Sequence, residues 1–496
     1  MSRLVLASAL SVLIAASAAA AGADLRVVEA VKRGDDAALR SLVKGHASVT
    51  TPQPDGTTAL HFAVQRNDVA MTELLLRAGA DATATNRYGV APIYLAALNG
   101  NAAIIERLIA AGADANQSLP EGETALMTAA RTGNVEAIQA LLSHGARVND
   151  RERWKGQTAL MWAATQNNAA AVQTLVKAGA DIKARTKSGD FSAFLFAARD
   201  GRIDAARALL ESGANVNETL PDGTSALLLA VMNAHYELAG VLLDKGADPN
   251  ADAQGWAPLH QVVWSRRPNN GSNIPGALPS GKLDSLDLVR KLFEHRANIN
   301  AREKKEPKDG FRNMLRRIGA TPFLLAAKSC DLPLMRLLLE EGADPKLTTE
   351  DGTTALMVAA GVGIWAPGEN PGTEEEALAA VKLLLEVGGG AVNDVDTQGE
   401  TALHGAIYRA GSIPVASLLI EKGAKLDARN RKGWTPLTVA DGVEYTPNVL
   451  KRYPETATFL RKAMAEHGLP VPDVGQAIPT NQKAASPDAA APAAAR

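Results

Sequence analysis

Apolar residues along this chain come in short clusters at helical spacing, two clusters to a unit, and the unit recurs. Each unit opens on a glycine and passes through a Thr or Ser into a small-residue-rich apolar run. It then turns, enters a second apolar segment with helical periodicity, as in Met71, Leu74 and Leu75, and closes on Gly-Ala. Gly56, Gly89, Gly122, Gly156, Gly189 and Gly223 are spaced 33, 33, 34, 33 and 34 residues apart, and Gly255 follows after 32. Gly319, Gly352, Gly399 and Gly433 continue the series with gaps of 64, 33, 47 and 34. Self-similarity at such a period marks stacked supersecondary units, and the count predicts about eleven helical pairs in an all-α array.

The residue types suit the places they occupy. The leading glycine supplies a turn with positive φ. Thr58, Thr124, Thr158, Ser192, Ser225, Thr321, Thr354, Thr401 and Thr435 stand where a hydroxyl can cap the first helix. Pairs such as Ala96-Ala97, Ala129-Ala130, Ala163-Ala164 and Ala197-Ala198 let neighbouring helices approach closely. Gly79, Gly112, Gly145, Gly179, Gly213, Gly246, Gly342 and Gly423 end the second helix in a left-handed cap, with Arg296 at one such place. Cys330, the single cysteine, falls where Asn67, Gly100, Gly133, Asn167 and Gly201 end the first helix, so local strain is expected there.

The segments TALHFA (58–63), APIYLA (91–96), TALMTA (124–129), TALMWA (158–163), APLHQV (257–262), TPFLLA (321–326), TALMVA (354–359), TALHGA (401–406) and TPLTVA (435–440) carry a resemblance. On these the chain resembles the ankyrin-repeat family, whose unit is a turn and two helices with a T-P-L-H-x-A core. The likeness covers roughly 23–468. It implies an all-α ankyrin-repeat solenoid of about eleven helix-turn-helix repeats with turn fingers. The motif histidine stands only at His61, His260 and His404. Residues 22–54 read as an N-terminal capping helical pair, 55–468 as the array, 455–467 as its closing helix, and 469–496 as a disordered Ala/Pro-rich tail. Insertions interrupt the array at 266–284, 303–317, 362–373 and 442–454. The first, third and last lengthen the loop between the two helices of repeats seven, nine and eleven, which predicts that they meet as one surface. The segment 303–317 leaves at the turn edge and is assigned to a different surface. Thr373 and Glu376 spell a capping box.

Residues 1–21 have the three parts of a cleavable signal peptide: Arg3, the apolar run Leu4–Ile14, and alanines with A-x-A sites. An exported protein follows, periplasmic or secreted, and with it a likeness to exported bacterial ankyrin-repeat proteins. After cleavage no membrane insertion is expected. Lys and Arg number 52 against 54 Asp and Glu, for a net charge of −2 without a basic run, which argues against nucleic acid. The eight histidines are scattered, and no HExxH, CxxC, nucleophile elbow or phosphate loop occurs. Gly361-Val362-Gly363-Ile364-Trp365-Ala366 matches a dinucleotide motif by letter but follows a helix rather than a strand. Neither catalysis, metal nor cofactor is expected. The resemblance implies a monomeric scaffold binding a protein or peptide on turn tips and first-helix ends. The tips offer Tyr88, Trp154, Lys155, Lys187 and Trp256. The helix ends offer Gln65, Arg66, Arg131, Gln166, Arg199 and Trp264, and the insertions add Trp365, Tyr445 and Tyr453. The stripe Phe62, Leu95, Trp162, Phe196, Leu229 and Leu325 is read as core between repeats. Two rival readings are a receptor for a small ligand or cell-wall fragment, held in a pocket ringed by Trp264 and Trp365, and an enzyme with its site in the insertions.

Overall fold

A computed structural model describes residues 24–267, 278–306, 314–364, 371–446 and 449–472. The signal segment, Trp365 and most of the Ala/Pro-rich tail lie outside the described residues. The chain divides into two compact units, Met1–Leu220 and Pro221–Arg496.

The first unit holds α1 (Arg26–Arg33), α2 (Asp36–Lys44), α3 (Ala59–Gln65), α4 (Val69–Arg77), α5 (Pro92–Asn99), α6 (Ala102–Ala110), α7 (Ala125–Thr132), α8 (Val135–Ser143), α9 (Ala159–Thr165), α10 (Ala169–Lys177), α11 (Ala193–Arg199) and α12 (Ile203–Glu211). The second holds α13 (Ala226–Met232), α14 (Tyr236–Asp244), α15 (Pro258–Arg266), α16 (Ser285–Glu294), α17 (Pro322–Lys328), α18 (Leu332–Glu340), α19 (Ala355–Ala360), α20 (Glu374–Val387), α21 (Ala402–Tyr408), α22 (Ile413–Glu421), α23 (Pro436–Asp441) and α24 (Pro454–Glu466). Within each unit the first helix of each pair packs on the first of the next, and most second helices pack on the second. The expected capping pair at the N-terminus is α1 and α2, and the closing helix is α24. One departure is a short antiparallel hairpin, β1 (Val443–Thr446) with β2 (Val449–Lys451), inside the insertion read as loop.

The local chemistry follows the repeat. Thr124, Thr158, Ser192, Ser225, Thr321, Thr354, Thr401 and Thr435 each accept the backbone N–H three residues on. Ala129, Ala130, Ala163, Ala164, Ala197, Ala198, Ala326 and Ala327 are fully buried, so the first helices meet nearly backbone to backbone. At Gly179 a β-carbon would touch nothing within 4 Å, so its φ of 90° and not crowding selects glycine. Arg296 accepts the same conformation with φ 66°. Cys330 is buried with φ 52°, as its place in the repeat implied.

Two kinds of polar bond tie neighbours in register. Asparagines in the loops after the second helices bridge to the next repeat. Asn116 Nδ2 donates to Gly145 O at 3.0 Å while its Oδ1 accepts from Arg147 N at 2.7 Å. Asn149 repeats this with Gly179 and Asp181, and Asn393 with Gly423 and Lys425. The motif histidines do the same between first helices. Nδ1 of His260 accepts from Ala257 N at 3.2 Å and Nε2 faces Ala320 O at 3.2 Å. Nδ1 of His404 accepts from Thr401 N at 3.2 Å and Nε2 faces Trp434 O at 3.0 Å. His61 bridges Thr58 and Val90 alike. Each ring is neutral in this role, since Nδ1 must keep its lone pair.

Burial holds the His260 and His404 imidazoles down to a pKa of about 4. The unfolded ring takes a proton near pH ~6.5. Stability from these rings is therefore complete above pH ~6.5 and drains away as pH falls toward 4, because the unfolded chain binds the protons first. Thermal melts across that window should show a falling midpoint. Replacing His260→Met and His404→Met, the residue standing at Met127 and Met161 in the same place, should flatten the dependence. An unchanged slope in the double variant would refute the assignment.

Candidate interaction surfaces

The turn tips of the first unit form a row held by backbone bonds. Arg87 N donates to Asp55 O at 2.8 Å, Arg153 N to Glu121 O at 2.7 Å, and Lys187 N to Lys155 O at 2.8 Å. The tip ahead of Gly156 is the most ordered by its own side chains. Glu152 is buried, and its carboxylate accepts from Trp154 N at 2.6 Å and from Lys155 N and Gln157 N at 2.8 Å each. That anchors a finger from which Trp154 projects with 80% of its surface exposed. Lys155 Nζ lies 4.6 Å from the Trp154 ring centroid. Tyr88, 57% exposed, carries the Arg87 guanidinium 4.7 Å from its ring. Tyr88, Trp154 and Lys155 are exposed on their tips.

The first-helix ends are less open. Gln166 is exposed. Arg131 lies 5.0 Å from the Trp162 ring and 3.8 Å from Glu123. Arg199 sits over Phe191 and Phe196 and pairs with Asp200 at 2.7 Å. Both arginines are spent partly on packing. The stripe read as core divides: Phe196, Leu229 and Leu325 are buried, while Phe62, Leu95 and Trp162 stay half-buried. Cationic side chains lie over two of these: Lys32 covers Phe62 as Arg131 covers Trp162.

In the second unit the described start of the repeat-seven insertion reaches over the helix-to-helix loop of repeat eight to the helix that follows the repeat-nine insertion. Arg266 grips Asp331 with two bonds of 2.8 and 3.2 Å, and Asp331, fully buried, caps α18 by accepting from Leu334 N. Arg267 reaches Glu376 with bonds of 2.8 and 3.0 Å and also donates to the carbonyls of Ser329 and Cys330. Glu376 closes the capping box foreseen with Thr373. The Arg267 bond holds the Glu376 carboxyl below its ordinary range, and burial raises the Cys330 thiol. Toward repeats ten and eleven, Ser412 Oγ donates to Glu374 at 2.7 Å and Thr456 Oγ1 to Gly411 O at 2.5 Å. Gly361, from the dinucleotide-like string, lies against α21, where a β-carbon would fall 2.3 Å from Gly405 O. Close approach of two backbones accounts for that glycine.

Contrary to the expectation of a separate surface, the described ends of the segment 303–317 pack against neighbouring elements. Arg317 pairs with Glu303 at 2.6 and 3.0 Å, both nearly fully buried, and its guanidinium carbon lies 3.4 Å from the Trp264 ring centroid. Leu315 is buried against Gly363 of the next insertion. The buried ion pair turns the segment back across α15. Trp264 is consequently half-buried between Arg317 and Trp256, whose rings are 5.7 Å apart, and Trp256 Nε1 donates to Gln261 Oε1 at 3.1 Å. Trp256 and Trp264 thus pack instead of projecting. Tyr453 is half-buried, its Oη enclosed by protein. Tyr445 lies in β1 by its backbone, its side chain outside the described residues. The charged network around Asp331 had no signal in the sequence, because its members come from three repeats.

Among the described residues no group of three or more His, Cys, Asp or Glu side chains is set to hold a metal, and no helix is long and apolar enough to cross a membrane. Stacked helical pairs with ordered tips define a repeat scaffold, the class of protein made for binding. The family model for ankyrin repeats (3 copies) matches residues 27–118, 93–186, 194–273 and 373–447, and that for the single ankyrin repeat matches 318–350. The chain belongs to the ankyrin-repeat family. Its relatives include the phosphocholine transferase AnkX of Legionella pneumophila, 25% identical over 267 residues, covering 51% of this chain and 25% of that protein. Mouse ankyrin repeat and SOCS box protein 16 is 28% identical over 256 residues, covering 46% and 50%. The alignments thus span a quarter to a half of these relatives' own length. The crystal structure of the human ASB11 ankyrin repeat domain aligns at 25% identity, covering 45% of this chain and 98% of that one, with a TM-score of 0.41. Ankyrin repeats in general mediate protein–protein interaction.

The Asp331 network gives a direct test of how the insertions are held. Asp331→Ala leaves Arg266 half-buried without its carboxylate and removes a helix cap, so it should cost about 3 kcal/mol. Urea unfolding of the full chain should show the lowered midpoint. Arg267→Ala, whose partner Glu376 stays partly open to water, should cost clearly less.

Proposed function

We propose that the chain is an exported, non-catalytic scaffold that holds a protein or peptide partner. The tips around Tyr88, Trp154 and Lys155, the helix ends around Arg131, Gln166 and Arg199, and the insertion surface of repeats seven to eleven are its contact regions. The observation that carries this is Trp154, held out by a rigid finger with 80% of its surface exposed. A large aromatic on a pre-ordered turn loses little entropy on binding and is the usual anchor of an interface. The rival reading, a small ligand in the insertions, loses support because Arg317 already covers the Trp264 ring. Export rests on the Arg3, Leu4–Ile14 and alanine-rich pattern of the first residues.

Affinity capture from the exported fraction should retain a protein on the wild-type chain. The Tyr88→Ala, Trp154→Ala variant should retain it at least about tenfold less tightly. Equal retention by both would remove the tips from the reading, and absence of any specifically retained protein would remove the scaffold role. N-terminal sequencing of the native protein should begin between residues 19 and 25, and a chain still starting at Met1 would exclude cleavage.

A further inference from the structure

The exposed charge on the tips ahead of Gly89, Gly122, Gly156 and Gly189 is mainly basic. Arg87, Arg153, Lys155 and Lys187 are all exposed, and none has a carboxylate at ion-pair distance among the described residues. Glu121, on the tip between Arg87 and Arg153, is exposed, while at the ends of the row Asp55 faces Arg87 and Asp190 pairs with Arg185 at 3.4 Å. The cations are fixed by their surroundings. Arg153 Nη1 donates to Pro120 O at 3.1 Å, Lys187 Nζ to Arg153 O at 3.4 Å, and Arg87 and Lys155 lie on their neighbouring rings. The chain as a whole has a net charge of −2, so this basic strip is a local feature of one edge.

We propose that the tips ahead of Gly89, Gly122, Gly156 and Gly189 form a basic, aromatic comb. It receives an extended acidic segment of a protein partner, with carboxylates toward both ends and a non-acidic residue facing Glu121. This rests on the scaffold reading and names the chemistry of its partner. The dimensions agree. Neighbouring repeats pack about 8–10 Å apart, so Arg87 and Lys187, three repeats apart, are separated by roughly 30 Å. An extended chain advancing about 3.3 Å per residue covers that in about nine residues. Backbone bonds between tips hold the spacing, so the comb reads the pattern of charge and not merely its amount. Exposed ion pairs contribute little singly and are screened by salt. The rings of Trp154 and Tyr88 supply the apolar contact that makes the site more than a charged strip.

An anionic bilayer is the other surface that cations and aromatics could meet, and the geometry argues against it. A cation lies over the face of each ring, so sinking either ring into hydrocarbon would draw a charge in with it. A uniformly negative plane would also face Glu121, whereas a polypeptide can place a neutral or basic residue there.

The test uses the full chain and fluorescence anisotropy with a labelled peptide, Asp-Glu-Ser-Lys-Gly-Glu-Asp-Ser-Glu, whose Lys, about 10 Å from the first residue, faces Glu121. Its controls are the same peptide with Lys in place of every acid, and vesicles of phosphatidylcholine with phosphatidylglycerol. The wild type should bind the acidic peptide, and added salt should weaken binding. The triple variant Arg153→Glu, Lys155→Glu, Lys187→Glu and the single variant Trp154→Ala should each bind at least about tenfold more weakly, with unchanged circular dichroism because all four side chains are exposed. Glu121→Lys should weaken binding of this peptide and strengthen binding of one with Glu in place of its Lys. Wild-type-like affinity in the triple variant, binding of the basic peptide, or binding of vesicles in place of the peptide would each overturn the proposal. A captured partner equally retained by wild type and triple variant would overturn it too, while leaving the scaffold reading intact.

Discussion

A pair of helices of seven to nine residues cannot bury its own apolar face, and everything else in this protein follows from that constraint. Each face is completed by the next repeat, so burial depends on register between neighbours. The alanine pairs of the first helices set how closely repeats approach, and at full burial they leave no room for a larger side chain. Close packing alone tolerates sliding. The asparagine and histidine bridges supply direction, since each spans one repeat step and has donors and acceptors only in the correct register. Interactions here are therefore local in space, though separated by about one repeat along the chain.

That arrangement divides the labour between two edges. On the tip edge of the first unit, backbone bonds and the buried Glu152 carboxylate make the turns rigid, so they can present Trp154 and Tyr88 without enclosing them. On the helix-loop edge of the second unit the described ends of the insertions are bound to the scaffold by ion pairs. Arg266 and Arg267 bind Asp331 and Glu376, and Arg317 binds Glu303 and covers Trp264. Aromatic residues that stand side by side as candidates in the sequence thus have opposite fates. One is held out by its anchoring turn, while another is taken up by a neighbouring arginine.

Buried polar groups follow the same logic. Asp331 is tolerated at full burial because it has a guanidinium and a helix N-terminus to satisfy it. His260 and His404 are tolerated as neutral rings because two backbone groups use both nitrogens. None of these groups is arranged for chemistry on a substrate. They hold repeats together.

By itself the sequence determined the repeat and most of the caps. Thr124, Thr321 and Thr354 cap as their places implied, Cys330 and Arg296 take the left-handed conformation required of their positions, and Thr373 with Glu376 forms its box. These are short-range properties, governed by backbone geometry within a few residues. The candidate surfaces were legible only in part. Exposure of Trp154 could be read from its charged turn, residues 150–156, with nothing apolar beside it. The packing of Trp264, the enclosure of Tyr453, the hairpin at 443–451 and the return of 303–317 onto α15 could not. Each depends on a partner from another repeat, as Arg317 for Trp264 and Asp331 for Arg266, and side chains that distant in sequence are paired only once the repeats are stacked.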